Sequence, residues 1–420
     1  MKHILFTLFL SLFVFNTNAN AQSIENLDIS VKINKQVTTL DVTVKMSINP
    51  AHKGDLKLVL NDSASGLEIV RKGAPLEYLF DKENKPNIYF DGGLITIASS
   101  DLIAGNVIDF KYTLDIPKID YFITKGSSEG ITKQNGFETG MYSAWLPTEL
   151  SNGNFNYSIN IHVPNGYRAI GNGNITSLGS NIWHIKSNSK QFDVPVIVSD
   201  IIENEIYELG EINVVVSHFG KAKSDVSKLA KDIKSILTLF NQRFGPLMKK
   251  GTMRFAFVPR KGVSYSRDGF AVINDTGFEI DKFQTIAHEI GHFWFSGADS
   301  SSWEDWLNES YAEYGALMAI QQKYGASEFI KKTQEFADVS AGSPPIFEVN
   351  RKSDISGLVL YRKGPVILEE TRKKIGNKKF NLLIKSVINL ELKTTKKLLE
   401  SLSAILTESE LDWFEEQLHL

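Results

Sequence analysis

His288-Glu289-Ile290-Gly291-His292, followed after sixteen residues by Glu309 in Trp306-Leu307-Asn308-Glu309-Ser310, decides how the second half of this 420-residue chain is read. Residues four apart share one face of a helix, so His288 and His292 can present imidazole nitrogens to one metal ion while Glu289 points along the same cleft. Phe283, Ile286, Ala287 and Ile290 form an apolar stripe through the motif, which predicts a helix over about 281–296. A second helix over about 303–324 would bring Glu309 as third ligand, leaving the fourth position of a zinc ion to water. One Zn2+ per chain is therefore expected, held by His288, His292 and Glu309, with Glu289 as candidate catalytic residue. The competing reading is a helix whose histidines are merely hydrogen-bonded. The chain has only eight histidines, and two of them four apart around a glutamate favour the metal.

Working outward, residues from about 24 to 205 alternate apolar and polar, as in Leu27-Asp28-Ile29-Ser30-Val31-Lys32-Ile33 and Tyr157-Ser158-Ile159-Asn160-Ile161-His162-Val163. Period-two alternation predicts half-buried antiparallel strands. Asp91-Gly92-Gly93 and Gly171-Asn172-Gly173-Asn174 punctuate them as turns. The pattern changes near residue 206. Val226, Leu229, Ile233, Ile236, Leu237 and Phe240 share a helical face, Gly245 is placed to close that helix, and Met253 to Val258 reads as a strand. The expected fold is multi-domain: an all-β N-terminal sandwich or saddle over residues 22–205, then a mainly α catalytic domain over 206–420.

Residues 1–21 read as a secretory signal peptide: Lys2, an apolar run from Ile4 to Phe15, and Ala19-Asn20-Ala21 before the expected cleavage. No later segment approaches the roughly twenty apolar residues of a membrane span. There is no cysteine, which excludes disulfides and a lipidated cysteine. Lysine plus arginine number 46 against 49 acids; removal of Lys2 with the signal leaves 45 against 49, a net −4, and no basic patch suggests nucleic acid. The expectation is an exported protein, periplasmic or secreted, that spans no membrane.

The motif pair His288-Glu289-x-x-His292 and Trp306-Leu307-Asn308-Glu309-Ser310-Tyr311-Ala312-Glu313-Tyr314 resembles the aminopeptidase N family of zinc metallopeptidases, the gluzincins. Tyr361-Arg362-Lys363-Gly364 resembles that family's Tyr-x-Lys-Gly segment, Trp145-Leu146-Pro147 and Val163-Pro164-Asn165-Gly166 its strand domain, and Phe244-Gly245 the end of the helix before its catalytic sheet. The resemblance implies a thermolysin-like catalytic domain, zinc on His288, His292 and Glu309, Glu289 as general base and Tyr361 as donor to the oxyanion. It implies a short member, without the helical-repeat domain that many relatives carry. For Tyr361 the structural alternative is a packed tyrosine at a helix start.

Two features depart from the family pattern. The spacer before Glu309 is about two residues shorter than usual. The Gly-x-Met-Glu-Asn stretch that makes relatives exopeptidases is missing, and Ser266 of Val263-Ser264-Tyr265-Ser266-Arg267-Asp268-Gly269-Phe270 stands where its amine-binding glutamate belongs. Glu138, nine residues before Pro147, matches the family's other amine anchor, and Asp268 is a second candidate, with a turn residue as its alternative. Glu313, one turn beyond Glu309, is either a residue supporting the ligands or a solvated one. The activity expected first is an aminopeptidase; the alternatives are an endopeptidase or altered-specificity peptidase, and an inactive relative that binds peptides or a partner.

Overall fold

Period-two alternation in the first half does form strands, and in the first two the buried positions share one core. Ile24–Ile33 buries Ile24, Leu27, Ile29, Val31 and Ile33, and its neighbour Thr39–Ile48 buries Leu40, Val42, Val44, Met46 and Ile48. The computed structural model describes residues 23–86, 91–102, 107–122, 136–149, 153–247, 251–260, 262–275, 279–389 and 393–420. The expected signal peptide, residues 1–21, lies outside the described residues.

The largest sheet has eight strands in the order Asn174–Gly179, Ile182–Lys186, Asn156–His162, Ile24–Ile33, Thr39–Ile48, Val107–Asp115, Ser65–Arg71 and Ala74–Pro75. A four-stranded sheet is built around Leu56–Asn61 and Gly92–Ile97. Leu56, Leu58, Leu60, Ile95 and Ile97 join Leu27, Ile29, Val42 and Val44 in one core, so the two inner faces pack on each other as in a sandwich. One expectation is corrected here: Ile24–Ile33 pairs in parallel with Asn156–His162, Leu27 opposite Tyr157 and Val31 opposite Ile161. A parallel pair needs a long crossover rather than a hairpin, and the strands between these two supply it. Alternation reports which face is buried, not which way a neighbour runs.

A three-stranded sheet, Arg168–Gly171, Val196–Ser199 and Gly136–Thr139, leads to the second region. There a five-stranded sheet runs Ile202–Leu209, Ile212–Phe219, Gly251–Val258, Phe270–Asn274 and Tyr265–Arg267. Its first strand begins at Ile202 and pairs with Ile212–Phe219, so the expected division at 205/206 falls inside a strand of the second sheet. Helix Lys223–Phe244 buries Val226, Ile233, Ile236, Leu237 and Phe240 as its periodicity predicts, with Leu229 half-buried, and Gly245 ends it at φ 103°. Helices Glu279–Gly291, Trp306–Tyr324, Ala326–Ser340, Gly364–Asn389, Thr395–Leu402 and Glu408–His419 build the rest. Among the described residues no helix is long and apolar enough to cross a membrane.

Candidate active site

The motif helix, Glu279–Gly291, ends five residues earlier than its apolar pattern predicts. Phe293, Trp294 and Phe295 turn inward there: Trp294 Nε1 donates to the Gly245 carbonyl, and the Phe295 ring packs on Phe244 and Tyr311. His292 keeps its helical place because its backbone N–H still reaches the His288 carbonyl at 3.3 Å. The second helix, Trp306–Tyr324, follows a short 3-10 turn at Trp303–Asp305. The two helices meet at Gly291, where a Cβ would lie only 2.9 Å from Ala312 Cα. That close approach requires glycine and carries Glu309 to the histidines.

His288 Nε2 and His292 Nε2 face each other at 3.1 Å, and Glu309 Oε2 lies 3.2 Å from the first and 3.4 Å from the second. Ligand atoms about 2.05 Å from a tetrahedral zinc stand about 3.3 Å apart, so the triangle has the dimensions of one face of a zinc shell. Glu309 Oε2 is buried without a well-directed hydrogen bond despite those short distances, which fits an atom aimed at a shared centre rather than at either ring. Burial alone would lower both imidazole pKa values; hydrogen bonding and charge from Glu309, and for His288 from Glu313, outweigh it and raise them. Burial would raise Glu309, and the two histidines instead hold it well below the usual carboxylate range. A metal ion would displace those protons and take over the same compensation.

Glu313 supports the ligands; it is not a solvated residue. It is 4% exposed, its Oε2 lies 2.8 Å from His288 Nδ1, and its Oε1 accepts from Gln284 Nε2 and from Arg362 Nη1 at 3.1 Å. Across the site, His292 Nδ1 lies 3.0 Å from the Phe295 carbonyl. Each ring therefore has a partner behind it that turns Nε2 toward the shared point. Gln284 lies one turn before His288, a spacing that could have marked it. Arg362 had no signal beyond its place in Tyr361-Arg362-Lys363-Gly364.

Glu289 is 5% exposed and its Oε2 has no hydrogen-bond partner. Desolvation raises its pKa against the pull of His288 and His292. Tyr361 sits in a π-helical turn, Val359–Lys363, and its ring stacks on His288 at 5.5 Å and 27°. Burial, then the Glu309 charge, push its phenol well above the ordinary range, keeping it a donor. The widened turn packs on the glutamate helix through Gly364, where a Cβ would collide with Ser310, whose hydroxyl donates to the Leu360 carbonyl at 2.7 Å. The sequence pattern suggests a helix start; what is present is a π turn, which frequently occurs at functional sites.

The two candidate substrate anchors sit differently. Glu138 is 1% exposed and closed between Arg260 Nε at 3.0 Å and Tyr265 Oη at 2.9 Å, an ion pair joining the three-stranded sheet to the second region. It does not line the cleft, and serving an amine would require breaking that pair. Asp268 does line the cleft, exposed at its mouth, where it accepts from Ser189 Oγ at 2.5 Å. Ser266 and Arg267 stand in the wall between, on the edge strand Tyr265–Arg267. The cleft, about 2520 Å³, runs past His288, Glu289, His292, Glu309 and Tyr361.

Residues 277–417 match the Peptidase family M1 domain, a stretch that begins just before the motif helix and contains the three ligands, Glu289 and Tyr361. That stretch carries the peptidase family M1 domain. An M1 zinc metallopeptidase from Deinococcus radiodurans, a glutamate-to-alanine mutant bound to the substrate Tyr-Ser-Ala, superposes with TM-score 0.69 at 14% identity over 94% of both chains. A two-domain M1 zinc metallopeptidase mutant bound to L-tryptophan superposes with TM-score 0.68 at 14% identity, over 95% of this chain and 94% of that one. These likenesses establish the fold: a strand-rich N-terminal region followed by a mainly helical catalytic one. Aminopeptidase M1-B of Oryza sativa subsp. japonica is 27% identical over 116 residues. That match spans 25% of this chain and 13% of the rice protein. M1 metallopeptidases use zinc, and His288, His292 and Glu309 are the group among the described residues whose donor atoms converge for it.

Proposed function

We propose that this protein hydrolyses peptide bonds with zinc held by His288, His292 and Glu309. The observation that carries the reading is the convergence of two imidazole nitrogens and one carboxylate oxygen within 3.4 Å of one another, beside a buried carboxylate and a stacked phenol. Zinc, when bound, polarises the attacking water and lowers its pKa to about 7. Glu289 takes a proton from that water and passes it to the departing amine, a role for which a raised carboxylate pKa is suited. Tyr361 keeps its phenolic proton and donates it in a hydrogen bond to the oxyanion of the tetrahedral intermediate. Purified protein with about one zinc per chain should cleave unstructured peptides, lose that activity to a chelator and recover it with added zinc. Protein that holds zinc stoichiometrically yet cleaves no peptide would overturn the reading and leave a peptide-binding relative.

Tyr361→Phe should lower kcat by about a hundredfold or more with little change in KM, because the bond forms mainly in the transition state. A tyrosine that only packs would give reduced thermal stability and an unchanged rate in the folded fraction. Removal of N-terminal residues is the activity favoured by the similarity to a rice aminopeptidase. A second reading, altered end recognition or endopeptidase action, is favoured by a specific observation: Glu138 is already paired with Arg260, and Ser266 lines the cleft where the family pattern would put a glutamate. Export to the periplasm or medium is proposed from residues 1–21 alone.

A further inference from the structure

We propose that Arg362 is a substrate-binding residue whose Nε–Nη2 edge takes a carboxylate on the leaving-group side of the substrate, so that peptides carrying one there are preferred. The proposal deepens the peptidase reading and rests on it. Two sources share that chemistry, the carboxyl end of a short peptide and an aspartate or glutamate side chain.

The Arg362 guanidinium is held by residues that themselves line the cleft. Its Nη1 donates to Glu313 Oε1 at 3.1 Å and to the Tyr361 carbonyl at 2.9 Å, and its Cζ stands 4.3 Å from the centre of the Phe336 ring. The same Glu313 carboxylate lies 2.8 Å from His288 Nδ1 through its other oxygen. These contacts orient the group without enclosing it: the Arg362 side chain is 37% exposed, against 5% for Glu313. Nε and Nη2 have no partner among the described residues. The two other arginines of the cleft have given up that edge, Arg267 Nε to Asp193 and Arg351 Nε to Asp305. Elsewhere in the fold Arg372 shows what the edge is suited to, its Nε and Nη2 donating at 2.8 and 2.7 Å to the two oxygens of Glu369.

An oriented guanidinium with one open edge selects its ligand by geometry. Two parallel N–H donors match the two oxygens of a carboxylate, a pairing stronger than a neutral hydrogen bond and closed to an ammonium, which has only donors. Glu313 does not remove that capacity, because it meets Arg362 through Nη1 alone and is shared with His288 and Gln284. Lys332, in the same cleft, already faces Asp281 and Glu335 at 3.3 and 3.5 Å. The side follows from the walls. Strand Tyr265–Arg267, where the family pattern holds the amino end, packs on the motif helix, whereas the π turn of Arg362 packs on helices Trp306–Tyr324, Ala326–Ser340 and Gly364–Asn389. Residues before the scissile bond occupy the first wall, which leaves the second to those after it. Two hydrogen bonds, Arg362 to Glu313 and Glu313 to His288, separate the guanidinium from a ligand imidazole, a span that about two or three extended residues cover at roughly 3.3–3.6 Å each.

The test uses zinc-loaded protein and peptides whose leaving group is one, two or three residues long, each as the free acid and as the C-terminal amide. Amide-ended peptides with Asp or Asn in the leaving group complete the set. At least one carboxylate form should exceed its neutral twin by about tenfold or more in kcat/KM, mainly through KM. A faster free acid identifies the chain end, a faster Asp peptide identifies the side chain, and each supports the anchor. Carboxylate forms cleaved no faster than their twins overturn it. Arg362→Gln deletes the Nε–Nη2 edge while keeping an N–H donor for Glu313, so the ratio between twins should fall to near one. An arginine that only holds Glu313 would slow both twins alike, and an unchanged ratio would overturn the anchor. Calorimetry on zinc-loaded Glu289→Gln separates this proposal from the activity beneath it. The carboxylate form should bind about tenfold tighter than its twin; that result without wild-type turnover would sink the peptidase reading alone, whereas equal affinities would sink the anchor.

Discussion

Glu289→Gln should lower kcat for peptide cleavage by about a thousandfold or more while leaving about one zinc per chain, because general base catalysis is worth roughly 10²–10⁴ and the side chain is not a ligand. The amide is isosteric, so the cavity and the packing of the motif helix are kept. What is lost is the ability to accept a proton from water and return it to the leaving nitrogen. The wild-type carboxylate is 5% exposed, and its Oε2 has no hydrogen-bond partner to replace the water it gave up on burial. Burial raises its proton affinity and the neighbouring imidazoles oppose that, so an acid limb in kcat/KM attributable to Glu289 should disappear in the glutamine variant. A Glu289→Gln protein that retained near-normal turnover with full zinc would remove Glu289 from the chemistry and leave the metal centre standing.

How legible each part of the site was follows from how local its cause is. The ligands could be read because four-residue spacing on a helix is a local geometric fact, and because Glu309 follows on the next helix. Gly291 shows the same logic one step further: a small residue inside the motif allows the two helices to touch at Ala312. Tyr361 was found through its sequence context, but its π turn was not, since that widening depends on how Gly364 and Ser310 crowd each other. Glu313 carries two readings in the sequence because its partners lie on other elements, His288 and Gln284 on the motif helix and Arg362 on the distant π turn.

The substrate side was much less legible. Glu138 occupies the expected distance from Pro147, yet Arg260 and Tyr265, 122 and 127 residues away, close over it. A carboxylate's position in sequence does not reveal whether another side chain has already neutralised it. In the Arg267-Asp268-Gly269 turn the sequence marks Asp268 as the candidate anchor, yet Asp268 is exposed and Arg267 is the buried residue. The parallel pairing of Ile24–Ile33 with Asn156–His162 was hidden for the same reason: alternation fixes a face, and strand direction is settled by distant partners.

His292→Ala should lose metal and activity together. Structural zinc sites with four ligands bind with about 10–16 kcal/mol, so one ligand is worth on the order of 3 kcal/mol, and its removal should weaken zinc by about a hundredfold or more. The expected effect is concentrated at this position because His292 lies just past the last residue of the motif helix. Its ring is held by the Phe295 carbonyl and by the inward turn of Phe293, Trp294 and Phe295, not by further helix. Alanine leaves those aromatic contacts intact, so the domain should still fold. Zinc stabilises the folded state only to the extent that it binds there in preference to the unfolded chain. The wild-type melting temperature should therefore fall on chelation to near that of the variant, and the variant should show little further response. Stoichiometric zinc retained by His292→Ala after dialysis, with peptide cleavage preserved, would exclude His292 from the ligand set and require a different third donor.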